Sequence, residues 1–191
     1  ENLSLVTPSH LTAYLVRAFE IYRPKIPVVY NSSGYEKVSS LALIDPYIDI
    51  YLPDLKFYSP ALSKRYLGKE NYFEYANSAI KFMAQKPLRF NENGKMLSGC
   101  IVRHLVMPLC VSDSKAILKW FVRELPKTAY LSLMSQYTPF GKIEKFPELS
   151  RPVTAREYET VVQTAFDLGI ENLFLQERNS SGKGYIPKWD F

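Results

Sequence analysis

Apolar residues along this chain switch repeatedly between the alternation of strands and the wider spacing of helices, and the switches outline the fold. Asn2-Leu3-Ser4-Leu5-Val6-Thr7 alternates as a strand and stops at Pro8, and Thr12 to Tyr22 follows with a helical stripe through Leu15, Ala18, Phe19 and Tyr22. Pro27-Val28-Val29-Tyr30 is a short β-rich run that ends in the polar loop Asn31-Ser32-Ser33-Gly34, and Glu36 to Leu43 predicts a short helix. Ile48 to Lys56 then forms a buried strand, apolar at Ile48, Ile50 and Leu52. It carries Asp54 and Lys56 to its end on one face, about 6–7 Å apart along the backbone.

Ser59-Pro60 supplies an N-cap and a first helical residue, and Ala61 to Gln85 is helical with a break between Gly68 and Tyr72. Asn91-Glu92-Asn93-Gly94 predicts a hairpin turn. Cys100 to Met107 is a buried strand closed by Pro108, and Ser112-Asp113-Ser114 caps a helix through Ile117, Leu118, Phe121 and Val122. Tyr130 to Met134 is a further strand, with Ser135-Gln136-Tyr137-Thr138 at its end and a turn-rich segment from Pro139 to Pro152 beyond it. Thr154-Ala155-Arg156-Glu157 is a capping box for a helix with its stripe at Tyr158, Val161, Val162, Ala165 and Phe166. Gly169 ends that helix, and Asn172 to Leu175 is a last strand. About five strand–helix repeats predict an α/β parallel sheet, either a barrel or a doubly wound sheet.

Composition narrows the setting. A chain of 191 residues, 47% of them apolar, can bury one substantial core, so residues 1–191 are expected to form a single domain. No signal peptide and no apolar run of membrane-spanning length appears, which predicts a cytoplasmic protein with no membrane partner. The net charge of +5 fits an anionic ligand. Lysines and arginines are scattered, with near-clusters only at Lys64-Arg65 and Lys142-Ile143-Glu144-Lys145, and no aromatics interleave them, so no nucleic acid is expected.

Several chemistries are excluded by pattern. Ser180-Ser181-Gly182-Lys183-Gly184 lacks the leading glycine of a phosphate-binding loop and reads as a tail. No serine-nucleophile elbow is present. Cys100 and His104 share a strand face but lie about 13 Å apart, too far to share one zinc ion. His104 is expected to be structural, between strand and helix, and His10 to be a capping or surface residue.

What remains is a set of polar residues at strand ends: Thr7, Ser9 and His10; Asn31, Ser32 and Ser33; Asp54 and Lys56; Arg103; and Gln136, Tyr137 and Thr138. Ligands meet α/β sheets at the carboxyl ends of strands. Arg103 lies within an apolar strand, where an unpaired charge is costly, so it requires an acidic or anionic partner. The set holds carboxylate, ammonium, guanidinium and amide groups without an evident nucleophile. It therefore suits holding a polar or zwitterionic ligand, either as part of an enzyme or as a non-catalytic module for a nucleoside or small ligand. Acid/base catalysis without a metal rests only on the Asp54 and Lys56 pair.

Five of these stretches, in order, resemble the radical S-adenosylmethionine enzymes related to pyruvate formate-lyase activating enzyme, including its uncharacterised bacterial homologues. They are Asn2 to His10, Pro27 to Glu36, Asp49 to Lys56, Ile101 to Pro108 and Tyr130 to Tyr137. The resemblance implies a six-stranded partial (β/α) barrel, S-adenosylmethionine and a [4Fe-4S] cluster held by a CxxxCxxC loop after the first strand. It also implies an oxidoreductase that makes a 5′-deoxyadenosyl radical for hydrogen abstraction. Its partners would be a glycyl-radical protein and an electron donor such as flavodoxin or ferredoxin. By position Asp54 and Lys56 would contact the methionine carboxylate, Asp54 through a monovalent cation, with Asn31, Ser32 and Ser33 beside them and Arg103 facing the pocket.

This sequence departs from that pattern. Thr7-Pro8-Ser9-His10 stands where relatives carry Gly-Gly-Glu, and Thr138 where they carry a histidine. CxxxCxxC is absent, since Cys100 and Cys110 are the two cysteines of the chain. The resemblance therefore implies a chain that begins at the second strand, without the cluster loop and inactive by itself. Leu3 to Thr7 would then be an open edge, expected to be covered by another chain, a neighbour or a loop.

Overall fold

The computed structural model describes residues 1–139 and 143–176, so the reading of Ser180 to Gly184 as a tail lies outside the described residues. Strand β1 (Leu3–Val6) leads through a short turn of helix at Pro8–Leu11 into α1 (Thr12–Ile21). Next come β2 (Val28–Ser32), α2 (Val38–Ile44), β3 (Ile50–Pro53), α3 (Pro60–Leu67) and α4 (Tyr72–Met83). The hairpin of β4 (Arg89–Phe90) and β5 (Met96–Leu105) follows, then α5 (Val111–Glu124), β6 (Tyr130–Met134), α6 (Ala155–Asp167) and β7 (Leu173–Leu175). The seven strands form one sheet in the order β1-β2-β3-β5-β6-β7, parallel throughout except for β4, which pairs antiparallel with β5.

Register explains why one face is dry and the other half-open. Tyr30 lies opposite Tyr51, Tyr51 opposite Cys100, and Val102 opposite Leu131. These residues form one core with Phe19, Leu41, Ile80, Ile117, Leu118, Trp120 and Val161 from the helices. Each fully buried aliphatic side chain of this kind contributes about 1.5–3 kcal/mol before entropy is counted. Trp120 is buried because its indole N–H has a partner, donating to Asn77 Oδ1 at 2.8 Å. The alternate residues face the other way. Asn31, Leu52, Asp54, Arg103 and Ser132 are half-buried there, and Phe174 is exposed. The sheet is not closed, and it agrees with the predicted α/β parallel architecture.

Local signals largely place the elements. Ser59 Oγ accepts from Leu62 N, with Pro60 as the first residue of α3, and Gly68 ends that helix at φ 68°. The Thr154–Glu157 capping box is complete. Three expectations need correction. Strand β5 starts at Met96, four residues before Cys100, because the hairpin with β4 pairs Met96 and Ser98. Glu36 lies outside α2, which starts at Val38. The Ser112-Asp113-Ser114 cap does not form: Cys110 is the N-cap of α5, and the Asp113 carboxylate instead accepts from Tyr58 N at 2.9 Å and Ser59 N at 2.7 Å.

At the sheet's margin β1 pairs with β2, and among the described residues no strand or loop pairs with its outer edge. Apolar residues of α1 and its entry turn are also exposed, with Leu11 42%, Tyr14 77% and Ile21 84%, as is Val6 of β1 at 66%. No helix among the described residues is long and apolar enough to cross a membrane.

Candidate functional site

The carboxyl ends of β2, β3 and β5 meet on the open face. Arg103, in β5, bridges to Asp54, just beyond β3. Its Nη2 lies 2.7 Å from Asp54 Oδ1 and donates to Asn31 Oδ1 at 2.6 Å. Lys56 Nζ lies 2.9 Å from the other oxygen, Asp54 Oδ2. The acidic partner required for Arg103 is therefore Asp54, and Asn31 from β2 completes the contact. Two cations share one carboxylate, which leaves the group with residual positive charge on a surface that is 22–37% exposed by side chain. Arg103 Nε is buried without a hydrogen-bond partner among the described residues. An oxyanion or a polar ligand could take up the excess charge.

Backbone contacts hold this array from behind. Asp54 N donates to Ser32 O at 2.9 Å, and Leu55 N donates to Arg103 O at 2.8 Å. Beyond these bonds the end of β3 is held by side chains. Lys56 N donates to the Tyr72 hydroxyl at 2.9 Å, and that hydroxyl shares its proton between Asp54 O at 2.9 Å and Ser33 O at 3.0 Å. His104 Nδ1 sits 2.8 Å from Leu55 O and its Nε2 2.8 Å from Ser114 Oγ. Since a carbonyl can only accept, Nδ1 carries the proton and Nε2 accepts from the serine. Burial drives the His104 pKa down to about 4, so the ring is neutral. Burial also pushes the Tyr72 hydroxyl well above its usual range, keeping it a donor.

Gly34 permits this closeness. Its φ is 77°, and a Cβ there would sit 2.3 Å from Asp54 O, so only glycine lets the β2 loop lie against the end of β3. Ser32 Oγ accepts from Gly34 N at 2.9 Å and fixes that turn.

The other predicted residues fall elsewhere. Thr7, Ser9 and His10 lie on an exposed turn; Thr7 adopts φ 47° and its N–H donates to Asn31 O at 2.8 Å, so its link to the array is through backbone. Gln136 accepts from Gln176 Nε2 at 2.7 Å, the Tyr137 hydroxyl donates to Leu149 O at 2.9 Å, and Thr138 Oγ1 contacts Gln136 O. These contacts tie the end of β6 to β7 and the following loop, not to Arg103. His104 is structural, as expected, held by Leu55 O and Ser114 Oγ, and Cys100 points into the core.

Three residues beyond the predicted set matter. Tyr72 is 2% exposed and binds backbone 16 to 39 residues away, a contact with no local sequence signal. Ser114 orients His104. Glu36 is 6% exposed, its carboxyl stabilised by Ser32, Tyr30 and Ser9 while burial pushes its pKa up.

The residues present do not fit a cluster. A [4Fe-4S] centre needs about three thiolates from its protein, whereas the chain has Cys100 and Cys110 alone, both buried, with burial raising both thiols. No group of three or more His, Cys, Asp or Glu that could hold a metal occurs among the described residues. Each Asp54 oxygen already meets one cation, Lys56 or Arg103, and keeps a further lone pair, so a monovalent cation there would share the carboxylate with both. A cavity of about 280 Å³ lies at the opposite end of the sheet, between the ends of α5 and α6, away from this array.

No family model matches the chain. An uncharacterized protein of Methanocaldococcus jannaschii is 26% identical over 149 residues, covering 78% of this chain and 40% of that protein. The chain thus spans less than half the length of this curated relative. A crystal structure of a domain of pyruvate-formate lyase-activating enzyme from Bacteroides vulgatus matches with a TM-score of 0.63 at 10% identity, over 93% of this chain and 98% of that domain. The chain therefore shares the α/β fold of that domain, an unclosed and mostly parallel sheet.

Proposed function

We propose that this chain is the cofactor-holding, carboxyl-terminal part of a radical S-adenosylmethionine enzyme of the pyruvate formate-lyase activating type. The carrying observation is the array of Asn31, Asp54, Lys56 and Arg103, gathered from three adjacent strand ends on the open sheet face, with two cations to one carboxylate. The fold neighbour adds an analogy of architecture, which bears on the fold more than on the chemistry. Within this reading Lys56 and Arg103 bind the methionine carboxylate, Asp54 holds both cations in place, and Asn31 orients the guanidinium.

The complete protein would generate a 5′-deoxyadenosyl radical for hydrogen abstraction, with a glycyl-radical protein as partner and flavodoxin or ferredoxin as electron donor. Its cluster cysteines would come from residues other than these 191. A strand carrying them could pair beside β1 only where a segment outside the described residues covers that edge; a β1 edge bare and solvated in the whole protein would count against it.

The array of Asp54, Lys56 and Arg103, with no evident nucleophile beside it, also suits a second reading, a non-catalytic module for a nucleoside or small zwitterion. Titrating the 191-residue chain with S-adenosylmethionine, followed by NMR, separates the two. The enzyme reading predicts weak binding, around millimolar, with shifts confined to Asn31, Asp54, Lys56 and Arg103, because the metal supplies the rest of the affinity. Micromolar binding favours the module, and no shift at these residues at any concentration removes both.

A further inference from the structure

Every backbone polar group from Asp54 N to Lys56 N is accounted for, and three of the five are satisfied by only two side chains. Asp54 O and Lys56 N meet the Tyr72 hydroxyl, and Leu55 O meets His104 Nδ1. Regular ladder bonds stop at Leu55 N, so without these side chains the residues that carry the charged array would continue as a loop. Tyr72 comes from the first residue of α4 and His104 from the helix-facing side of β5. Both are 2% exposed, and both lie on the covered side of the strand end that presents the array.

Each is itself locked. The Tyr72 ring stacks on Tyr35, with centroids 6.1 Å apart and planes 15° apart, and the Tyr35 hydroxyl donates to Asn71 Oδ1 at 3.0 Å. His104 is held by Ser114 from α5. Neither touches the open face.

We infer that Tyr72 and His104 are a pair of positioning residues that fix the Asp54–Lys56 strand end, and through it the reach of Asp54 and Lys56 toward ligand. The inference rests on the ligand role proposed for Asp54 and Lys56. A binding constellation gains affinity when its groups are held before the ligand arrives, because little ordering then remains to be done. Tyr72 does more than brace one strand: its hydroxyl joins Ser33 O to Asp54 O, so the β2 loop and the β3 end move together. His104 ties the same end to β5, the strand that carries Arg103. The three strand ends that supply the array are thereby coupled by two buried side chains.

The test uses the isotopically labelled chain in four forms: wild type, Tyr72→Phe, Ser114→Ala and, as a control of core packing in α6, Val161→Ala. Two readouts are followed: amide exchange and the Arg103 Nε resonance without ligand, and the dissociation constant for S-adenosylmethionine. Loss of one buried hydrogen-bonding hydroxyl is expected to speed exchange at Lys56 and weaken binding by about tenfold each, and to shift the Arg103 resonance. Val161→Ala is expected to lower the melting temperature while leaving both readouts unchanged. Ser114→Ala is expected to move Leu55 and Arg103 signals, and it serves as the test should Tyr72→Phe not fold. Unchanged Lys56 exchange and Arg103 resonance in Tyr72→Phe, or equal changes in Val161→Ala, would overturn the inference. Wild-type chain that shows no binding at all refutes the ligand role instead, and the ligand-free readouts still decide whether the strand end is held this way.

Discussion

Replacing Asp54 by Asn keeps the shape but removes the charge shared by Arg103 and Lys56, and its NH2 cannot accept from either of them. The two contacts differ in worth. Arg103 and Asp54 are 23% and 22% exposed by side chain and 2.7 Å apart, so the charged hydrogen bond is largely shielded. A bond of that type contributes about 1.5–3 kcal/mol. Lys56 is 37% exposed, and its pair with Asp54 is worth about 0.2–1 kcal/mol, as for surface ion pairs. Asn31 Oδ1 remains for Arg103 and offsets part of the loss. The expected cost of Asp54→Asn is about 2–3 kcal/mol, or about 4–12 °C in melting temperature for a domain of this size. Urea unfolding of a double-mutant cycle is the assay. Asp54→Asn with Arg103→Gln should show coupling of about 1.5 kcal/mol, and Asp54→Asn with Lys56→Met about 0.5 kcal/mol or less. If Arg103→Gln costs the same with or without Asp54, the shielded pair is not what holds the array, and the reasoning fails.

Three further outcomes follow. His104 has its pKa lowered from about 6.5 to about 4, so the unfolded chain binds the extra proton first as pH falls. Its contribution, up to about 3 kcal/mol, should be present above pH 6.5 and lost progressively toward pH 4. Buried Glu36 and Asp113 titrate with the opposite sign, their raised pKa values favouring the folded state in acid, so the measurement is the difference in urea stability between wild type and His104→Gln across that range. Gly34→Ala should destabilise by about 2 kcal/mol or more, through the positive φ and the Cβ at 2.3 Å from Asp54 O, read as a loss in urea midpoint. Tyr14→Glu with Ile21→Glu should leave the stability of this chain within about 0.5 kcal/mol, since both positions are exposed here. In a longer protein that covers these residues the same pair should cost several times more, by thermal unfolding.

The sheet was legible in sequence because its signals are local: alternation marks β5 and β6, and Ser59-Pro60, Gly68 and Thr154-Glu157 mark helix ends. The acid–base pair at Asp54 and Lys56, and the need of Arg103 for an acid, followed from strand periodicity and the cost of an unpaired charge. Failures came where a tertiary contact outweighed a local preference. Asp113 has cap chemistry but serves the backbone of Tyr58 and Ser59, 54 and 55 residues away. Gln136, Tyr137 and Thr138 occupy a strand end, yet β7 and the loop around Leu149 compete for their polar groups. Tyr72 sits in a helix whose spacing marks it only as core; its hydroxyl acquires a role once β2 and β3 lie side by side.

The most direct measurement joins the array to the proposed chemistry. The 191-residue chain, extended by whatever coding sequence precedes Glu1, is reconstituted anaerobically with iron and sulfide, reduced and given S-adenosylmethionine. The account predicts 5′-deoxyadenosine, with Asp54→Asn and Arg103→Gln weakening S-adenosylmethionine binding by about tenfold or more while the cluster's absorbance is unchanged. A loaded, reduced protein that yields no 5′-deoxyadenosine, or one whose S-adenosylmethionine affinity is untouched by both substitutions, would contradict it.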